Sequence, residues 1–277
     1  AMLSMQKAVP YIALVIISAV WLLPFISTIW MSLKTNAELA SYPFWNPPLD
    51  PIKSFTTNIL DAWTTQRMTD YFSNSLIYAT TGSVIAALLA SIGALPMSRG
   101  KTRGAELVFY LLLFVTFFPF QIYIIPLLDM FMHTGLHNTF IGMEMVYIAI
   151  TIPFVVFVMR NYYTTIPDDL EDAAKIDGLS YFGMYRKIFL PLSLPAIAVG
   201  VIFQWIWIWN EFLIGLVLTH TTARPVQVGL YNIQGALTYS FSTQATAALV
   251  AAIPVVMMFL IFQRFITRGI LAGAVKG

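Results

Sequence analysis

Apolar residues dominate six stretches of the chain, at about 10–32, 74–97, 107–131, 139–159, 192–218 and 244–266. Each approaches the ~20 residues a helix needs to cross a ~30 Å hydrocarbon core. Lys and Arg are missing from their interiors, apart from Arg264 near the end of the sixth. In lipid the chain must satisfy its own backbone polar groups, and a helix does so. The pattern predicts an all-α integral membrane protein with six transmembrane helices, forming a single domain over residues 1–277. Pro119, Pro126, Pro153 and Pro254 lie inside these stretches. They are expected to kink the third, fourth and sixth helices, because neighbouring groups in a bundle can take up the freed carbonyls.

The first stretch has the look of a secretory signal, with Lys7 ahead of an apolar run. That run is too long for a signal core and no A-x-A-like site follows it, so it reads as a retained span. The polar segments between the spans differ in charge. One set holds Lys7, Arg99, Lys101, Arg103, Arg160, Lys175, Arg186, Lys187, Arg264, Arg268 and Lys276; the other holds Lys34, Lys53, Arg67 and Arg224. This bias of eleven to four predicts that both termini are cytoplasmic. The 33–73 segment is then external, and its "YPFWNPP" (42–48) reads as a rigid, extended turn.

Residues 160–191 form the longest cytoplasmic segment. Pro167 and the acids Asp168, Asp169, Glu171 and Asp172 suit a helix N-terminus, and Gly178 suits its end. Ser180 can cap a second short helix, expected to close with Arg186 and Lys187 and to stop at Pro191. The segment is either a well-capped solvated loop or a docking element, whose small Ala173 and Ala174 admit a partner closely.

Composition narrows the classes. The chain is 58% hydrophobic and 10% charged, with a mean hydropathy of +0.77; soluble domains carry about 25% charged residues. It has no cysteine, so thiol catalysis and disulfides are excluded. A net charge of +2 without a basic run gives no sign of nucleic acid. "GKT" at 100–102 lacks the earlier glycine of a phosphate loop, since Leu95 stands there. His133 and His137 flank Gly135 on an external loop and form no metal site. Span five is the chemically rich one. Gln204, Trp207 or Ile208, Glu211 and Gly215 share a face at helical spacing. With Trp205, Trp209 and Asn210 they supply the aromatic faces and hydrogen-bonding groups that sugars use. Glu211 also lies ~28 Å from the start of the span at ~1.5 Å per residue, where an interfacial tryptophan belt is an equally good reading.

The register Asp172-Ala173-Ala174, Gly178, Ile188-Phe189-Leu190-Pro191 resembles the signature of ABC importer permeases: E-A-A, three residues, G, nine residues, I-x-L-P. Its one departure is Asp172 in place of Glu, with Glu171 beside it. "WNEFL" (209–213) and "LAGAVKG" (271–277) resemble the maltose-type, carbohydrate-uptake branch. The resemblance implies a cytoplasmic coupling helix between the fourth and fifth spans. Glu171, Asp172, Ala173, Ala174, Asp177, Gly178, Ile188, Leu190 and Pro191 would meet a cytosolic ATPase there. It implies no cofactor in this chain, with ATP and Mg bound by two partner ATPase subunits. It also implies a second permease subunit, favoured as a different chain, and an external sugar-binding protein whose site the 219–243 loop probes, with Gln234 and Gly235 as candidates. The translocation path would include Gln204, Trp205, Trp207, Trp209, Asn210 and Glu211. A permease for polyamine or phosphate is the first alternative. A secondary transporter is the second, and no broken helices in paired repeats are visible for it in the sequence.

Overall fold

The computed structural model describes residues 2–100, 102–234 and 240–274, with side chains for 9–100, 102–233 and 240–263. The described residues group into two compact units. One comprises residues up to 69 with 229–253; the other comprises 70–228 with 254 onward.

In the first unit α1 (Met2–Ser32) is followed by α2 (Asn36–Ser41) and α3 (Pro51–Leu60). The 18-residue apolar window of α1 buries no residue against the protein, as expected of a helix whose neighbour is lipid. The segment after α1 is largely helical and is tightly fastened around the turn expected at 42–48. Thr35 and Glu38 form a reciprocal capping box on α2. Glu38 also accepts from the Leu49 amide at 2.8 Å. That bond first, and the Thr35 amide second, hold its carboxyl below the ordinary glutamate range. Lys34 is buried; its ammonium donates to the Phe44 carbonyl at 2.6 Å, which Trp30 Nε1 also reaches at 2.9 Å. Asn58 ties α3 back by donating to the Ser32 and Lys34 carbonyls. The "YPFWNPP" stretch is thus a turn, closed by Asn46 N to Pro43 O.

The second unit begins with α4 (Met68–Ile77), continued through a π-helical turn (Tyr78–Gly82) into α5 (Ser83–Arg99). Next come α6 (Ala105–Thr116), α7 (Ile124–Thr134), α8 (Phe140–Tyr163), α9 (Asp169–Ile176) and α10 (Tyr181–Met184). A second π turn, Tyr185–Phe189, joins α10 to α11 (Leu190–Asn210), which is followed by α12 (Leu213–Leu218); residues of α13 (Val226–Gln234) and α14 (Phe241–Ala274) fall in both units. The most extensive helix contact is α5 on α8, with α11 against both. Its basis is a stripe of small residues on α5: Ser83, Ala86, Ala87, Ala90, Ser91 and Ala94 are all buried. Small residues at three- and four-residue spacing let helices approach closely where lipid supplies no hydrophobic drive between them. Val155, Val156, Met159 and Tyr163 of α8 and Ala196 of α11 fill the same core. A Cβ on Gly200 of α11 would stand 2.9 Å from Val155 Cγ1.

Three expectations change. Among the described residues, five helices are long and apolar enough to cross a membrane. The expected third span is instead two shorter helices, α6 and α7, around a 3₁₀ turn at Phe120–Ile122. Pro119 does more than kink: it lacks an N–H and biases Phe118 away from helix. Pro126 lies in the first turn of α7, where its missing donor costs nothing. Span five ends early, since Glu211 is extended (φ −68°, ψ 132°) between α11 and α12. Pro191 does not stop the helix before it: it sits in the first turn of α11, and the π turn ahead of it absorbs the lost bond. Tyr181–Asn210 is therefore one 30-residue helical rod.

Candidate functional site

The two helix breaks face one groove. A cleft of about 770 Å³ is lined by Thr116, Phe117, Phe118, Pro119, Phe120, Gln121 and Tyr123 from the α6–α7 break, with Pro153, Phe154, Gln204 and Trp207 opposite. A neighbouring cleft of about 580 Å³ shares Phe120 and Trp207 and adds Phe203, Ile206, Asn210, Glu211, Phe212 and Leu213. Irregular backbone at membrane depth is tolerated where it lines a cavity or is buried in protein. Both breaks meet that condition. Trp207 and Phe120 stand edge to face across the groove, 6.3 Å between ring centres. Aromatic faces and amide groups together suit a hydroxylated solute, which offers C–H faces for stacking and O–H groups for hydrogen bonds.

Glu211 makes the second break. Its carboxylate accepts from Ile214 N (2.7 Å), Gly215 N (3.1 Å) and Tyr147 OH (3.2 Å). An acid at the N-terminus of α12 satisfies orphan amides and complements the helix dipole. Gly215 is required beside it, because a Cβ there would run into Pro225. Trp205 and Trp209 stack at 5.2 Å, 7° from parallel. Trp209 is fully buried against the edge of Phe72, and Trp205 Nε1 donates to Thr80 Oγ1 at 3.2 Å. The six expected path residues therefore divide. Gln204, Trp207 and Asn210 line the groove. Trp205 and Trp209 pack into the unit's interior, and Glu211 borders the groove with its charge spent on α12.

The 160–191 segment carries a second constellation. Asp168 stands at the N-cap of α9 but makes no capping bond; it accepts from Arg99 Nη1 at 2.7 Å instead. Glu171 is buried and pairs with Lys175 at 2.8 Å, while Asp172, 3.3 Å from the same ammonium, is exposed. Its hydrogen bond to Glu171, above all, raises the Lys175 pKa. Gly178 adopts φ +72° and closes α9 with Gly178 N to Lys175 O and Leu179 N to Ala174 O. That pair of hydrogen bonds is the Schellman motif. Ala174 is buried in the same cluster as Met159, Tyr163 and Phe189. Ile188 and Leu190 are half-buried against the same cluster. Ala173, Asp172, Ile176, Asp177, Gly178 and Pro191 remain exposed.

Sequence reasoning missed Arg99, read there only as one more basic residue, and the groove residues of the α6–α7 break. The dipeptide Phe118-Pro119 was the available signal. Gly235 and the 275–277 end of the "LAGAVKG" tail lie outside the described residues, as does the side chain of Gln234. No group of three or more potential metal ligands occurs among the described residues.

Comparison with known proteins bears on the whole chain. The family described as "Binding-protein-dependent transport system inner membrane component" matches residues 82–271. The osmoprotective compounds uptake permease protein GgtD of Synechocystis sp. is 33% identical, over 98% of this chain and 93% of that protein. The diacetylchitobiose uptake system permease protein NgcG of Streptomyces coelicolor is 27% identical, over 97% and 89%. The sulfoquinovosyl glycerol transport system permease protein SmoH of Agrobacterium fabrum is 28% identical, over 98% and 94%. In fold, the chain superposes with a TM-score of 0.80, at 23% identity, on the crystal structure of a bacterial ABC transporter involved in the import of the acidic polysaccharide alginate. That match covers 94% of this chain and 96% of the other.

Proposed function

The chain belongs to the family of binding-protein-dependent transport system inner membrane components, and on that premise we propose that it is one permease subunit of an ATP-driven sugar importer. It is a multi-pass membrane protein. The observation that carries the sugar assignment is the groove at the two helix breaks, lined by aromatic rings and by Gln121, Gln204 and Asn210. The groove lining contains no Lys or Arg among the described residues, which disfavours phosphate. Its one acid, Glu211, is turned onto α12, which disfavours a polyamine. The names of the relatives point the same way, since NgcG is described as a permease protein of a diacetylchitobiose uptake system and SmoH as one of a sulfoquinovosyl glycerol transport system.

In this reading an external binding protein delivers the sugar, and a second permease subunit closes the groove. Two ATPase subunits bind ATP with Mg on the cytoplasmic side, where both termini lie. Their closure moves α9 as a rigid body and switches the spans between outward and inward access. The exposed face of α9, with Asp172, Ala173, Ile176 and Asp177, is the docking surface. Glu171 faces inward and holds the helix in place, so Asp172, and not Glu171, is available to the partner.

The test is Gly178→Val in the complete transporter, reconstituted with its binding protein and offered a panel of labelled sugars. A β-branched residue at positive φ is a strong outlier. The elbow should be lost, the protein should stay in the membrane, and ATP-dependent uptake should fall about tenfold or more, a change of ~1.4 kcal/mol per decade. Undiminished uptake sinks the coupling assignment, and a panel of sugars that fails where another solute is carried sinks the substrate class.

A further inference from the structure

One buried cation holds the 160–191 segment. Arg99 is the last residue of α5, and Gly100 turns left-handed directly after it. Its side chain is 8% exposed. Nη1 donates to the Ile166 carbonyl at 2.9 Å and to Asp168 Oδ1 at 2.7 Å. Nε lies 3.6 Å from Glu171 Oε2. The guanidinium stands over the Phe189 ring, 5.0 Å from its centre. Ile166 leads into α9, Asp168 and Glu171 begin it, and Phe189 closes the π turn that feeds α11. One side chain on α5 therefore reaches the start of α9 and the root of α11.

The cost of this arrangement is visible. Asp168 occupies a position from which it could cap α9, yet makes no capping bond. A loop shaped only for local stability would use that acid on the helix amides. Here it crosses to another helix. Arginine suits the task because its planar fork engages several acceptors at once while its flat face stacks on an aromatic ring. Lys175 reaches acids of its own helix, and Arg160 reaches the Met97 carbonyl from α8.

We propose that Arg99 is a positioning residue for coupling. It fastens α9 to α5, so that a push on α9 is delivered to the packed α5–α8 pair instead of bending the connection between them. The proposal rests on reading α9 as the ATPase-docking helix.

The chain has no cysteine, so spin labels can be placed at Asp169→Cys on α9 and Leu89→Cys on the exposed face of α5, in a transporter whose other subunits have had any cysteine replaced. The distance between them is read in the complete transporter, with and without ATP and vanadate. With Arg99 present the distribution should stay narrow and unchanged by nucleotide. Arg99→Gln should widen it roughly twofold and make it respond to nucleotide, as expected when one rigid body becomes two. Arg99→Lys, which keeps a charge for Asp168 but loses the fork and the stacking face, should recover only part of the narrowing; a role in filling space alone would not be rescued this way. A narrow, nucleotide-independent distribution in Arg99→Gln overturns the proposal. Should that variant fail to fold, Asp168→Asn removes one end of the clamp, and an unchanged distribution there overturns it equally. If the wild-type chain retains no ATPase subunit, the docking reading fails instead. The same label pair in nanodiscs without nucleotide then still decides whether Arg99 fastens the helix.

Discussion

The α5–α8 contact and the groove at the two breaks are both built from apolar sequence, yet one is closely packed and the other open. On α5 the buried positions are alanine and serine up to Leu95, and residues of α8 and α11 pack on them, closely enough at Gly200 that a Cβ would stand 2.9 Å from Val155. At the groove, Pro119 and Glu211 interrupt their helices and large aromatics crowd the ends. The comparison teaches that residue size at helical spacing, and not hydrophobicity, decides which faces of a membrane helix close on protein. The closed face can move as a body. Under the proposed function, the open face is the one that keeps room for a solute and for a partner subunit.

The comparison breaks most readily at Gly200. Gly200→Leu drives a side chain into Val155 and should cost about 1–3 kcal/mol or more from overpacking. Thermal inactivation of the detergent-purified protein should show it as the largest loss of the series. Glu211→Ala is expected next, at about 0.5–2 kcal/mol, the range for a lost helix cap. Its signature is local: faster hydrogen exchange at the Ile214 and Gly215 amides, with the α5–α8 amides unchanged. Ser91→Ala removes a buried hydroxyl that lies 2.7 Å from Tyr185 OH, and should cost about 0.6 kcal/mol, the average for such bonds in membrane proteins. A thermal shift like that of Gly200→Leu would show the interface to be held by polar glue instead of by size. Phe117→Leu, at a ring that is 81% exposed, should change stability by less than about 0.5 kcal/mol. A loss as large as that of Gly200→Leu would mean that the groove is no groove.

Much of this was legible in the sequence. Five of the six apolar stretches correspond to long apolar helices, because bilayer thickness fixes a length that composition alone reveals. The end of α9 at Gly178 was legible because only glycine takes that backbone cheaply. The breaks were not. Proline in a span reads equally as a kink, and only the structure shows that Pro119 ends α6. Glu211 read as a lining group because an acid in a span signals function; its use as a helix cap depends on Ile214 and Gly215 turning their amides toward it. Thr35-x-x-Glu38 did carry the written pattern of a capping box, in a segment where proline and aromatics drew attention to a turn. The clamp at Arg99 joins residues 67 to 90 positions apart along the chain, and no local pattern encodes such a pairing.

The uninterrupted run from Tyr181 to Asn210 has a mechanical consequence. Thirty helical residues span about 45 Å at 1.5 Å per residue. Its lower end is the elbow beside Gly178 and its upper end carries Trp207 and Asn210 into the groove. Such a rod is a lever. A tilt of about 5° at the root, small enough to leave its side-chain contacts in register, displaces the tip by about 4 Å. That is comparable to the thickness of an aromatic ring, so a modest rotation at one end can open or shut a stacking site at the other.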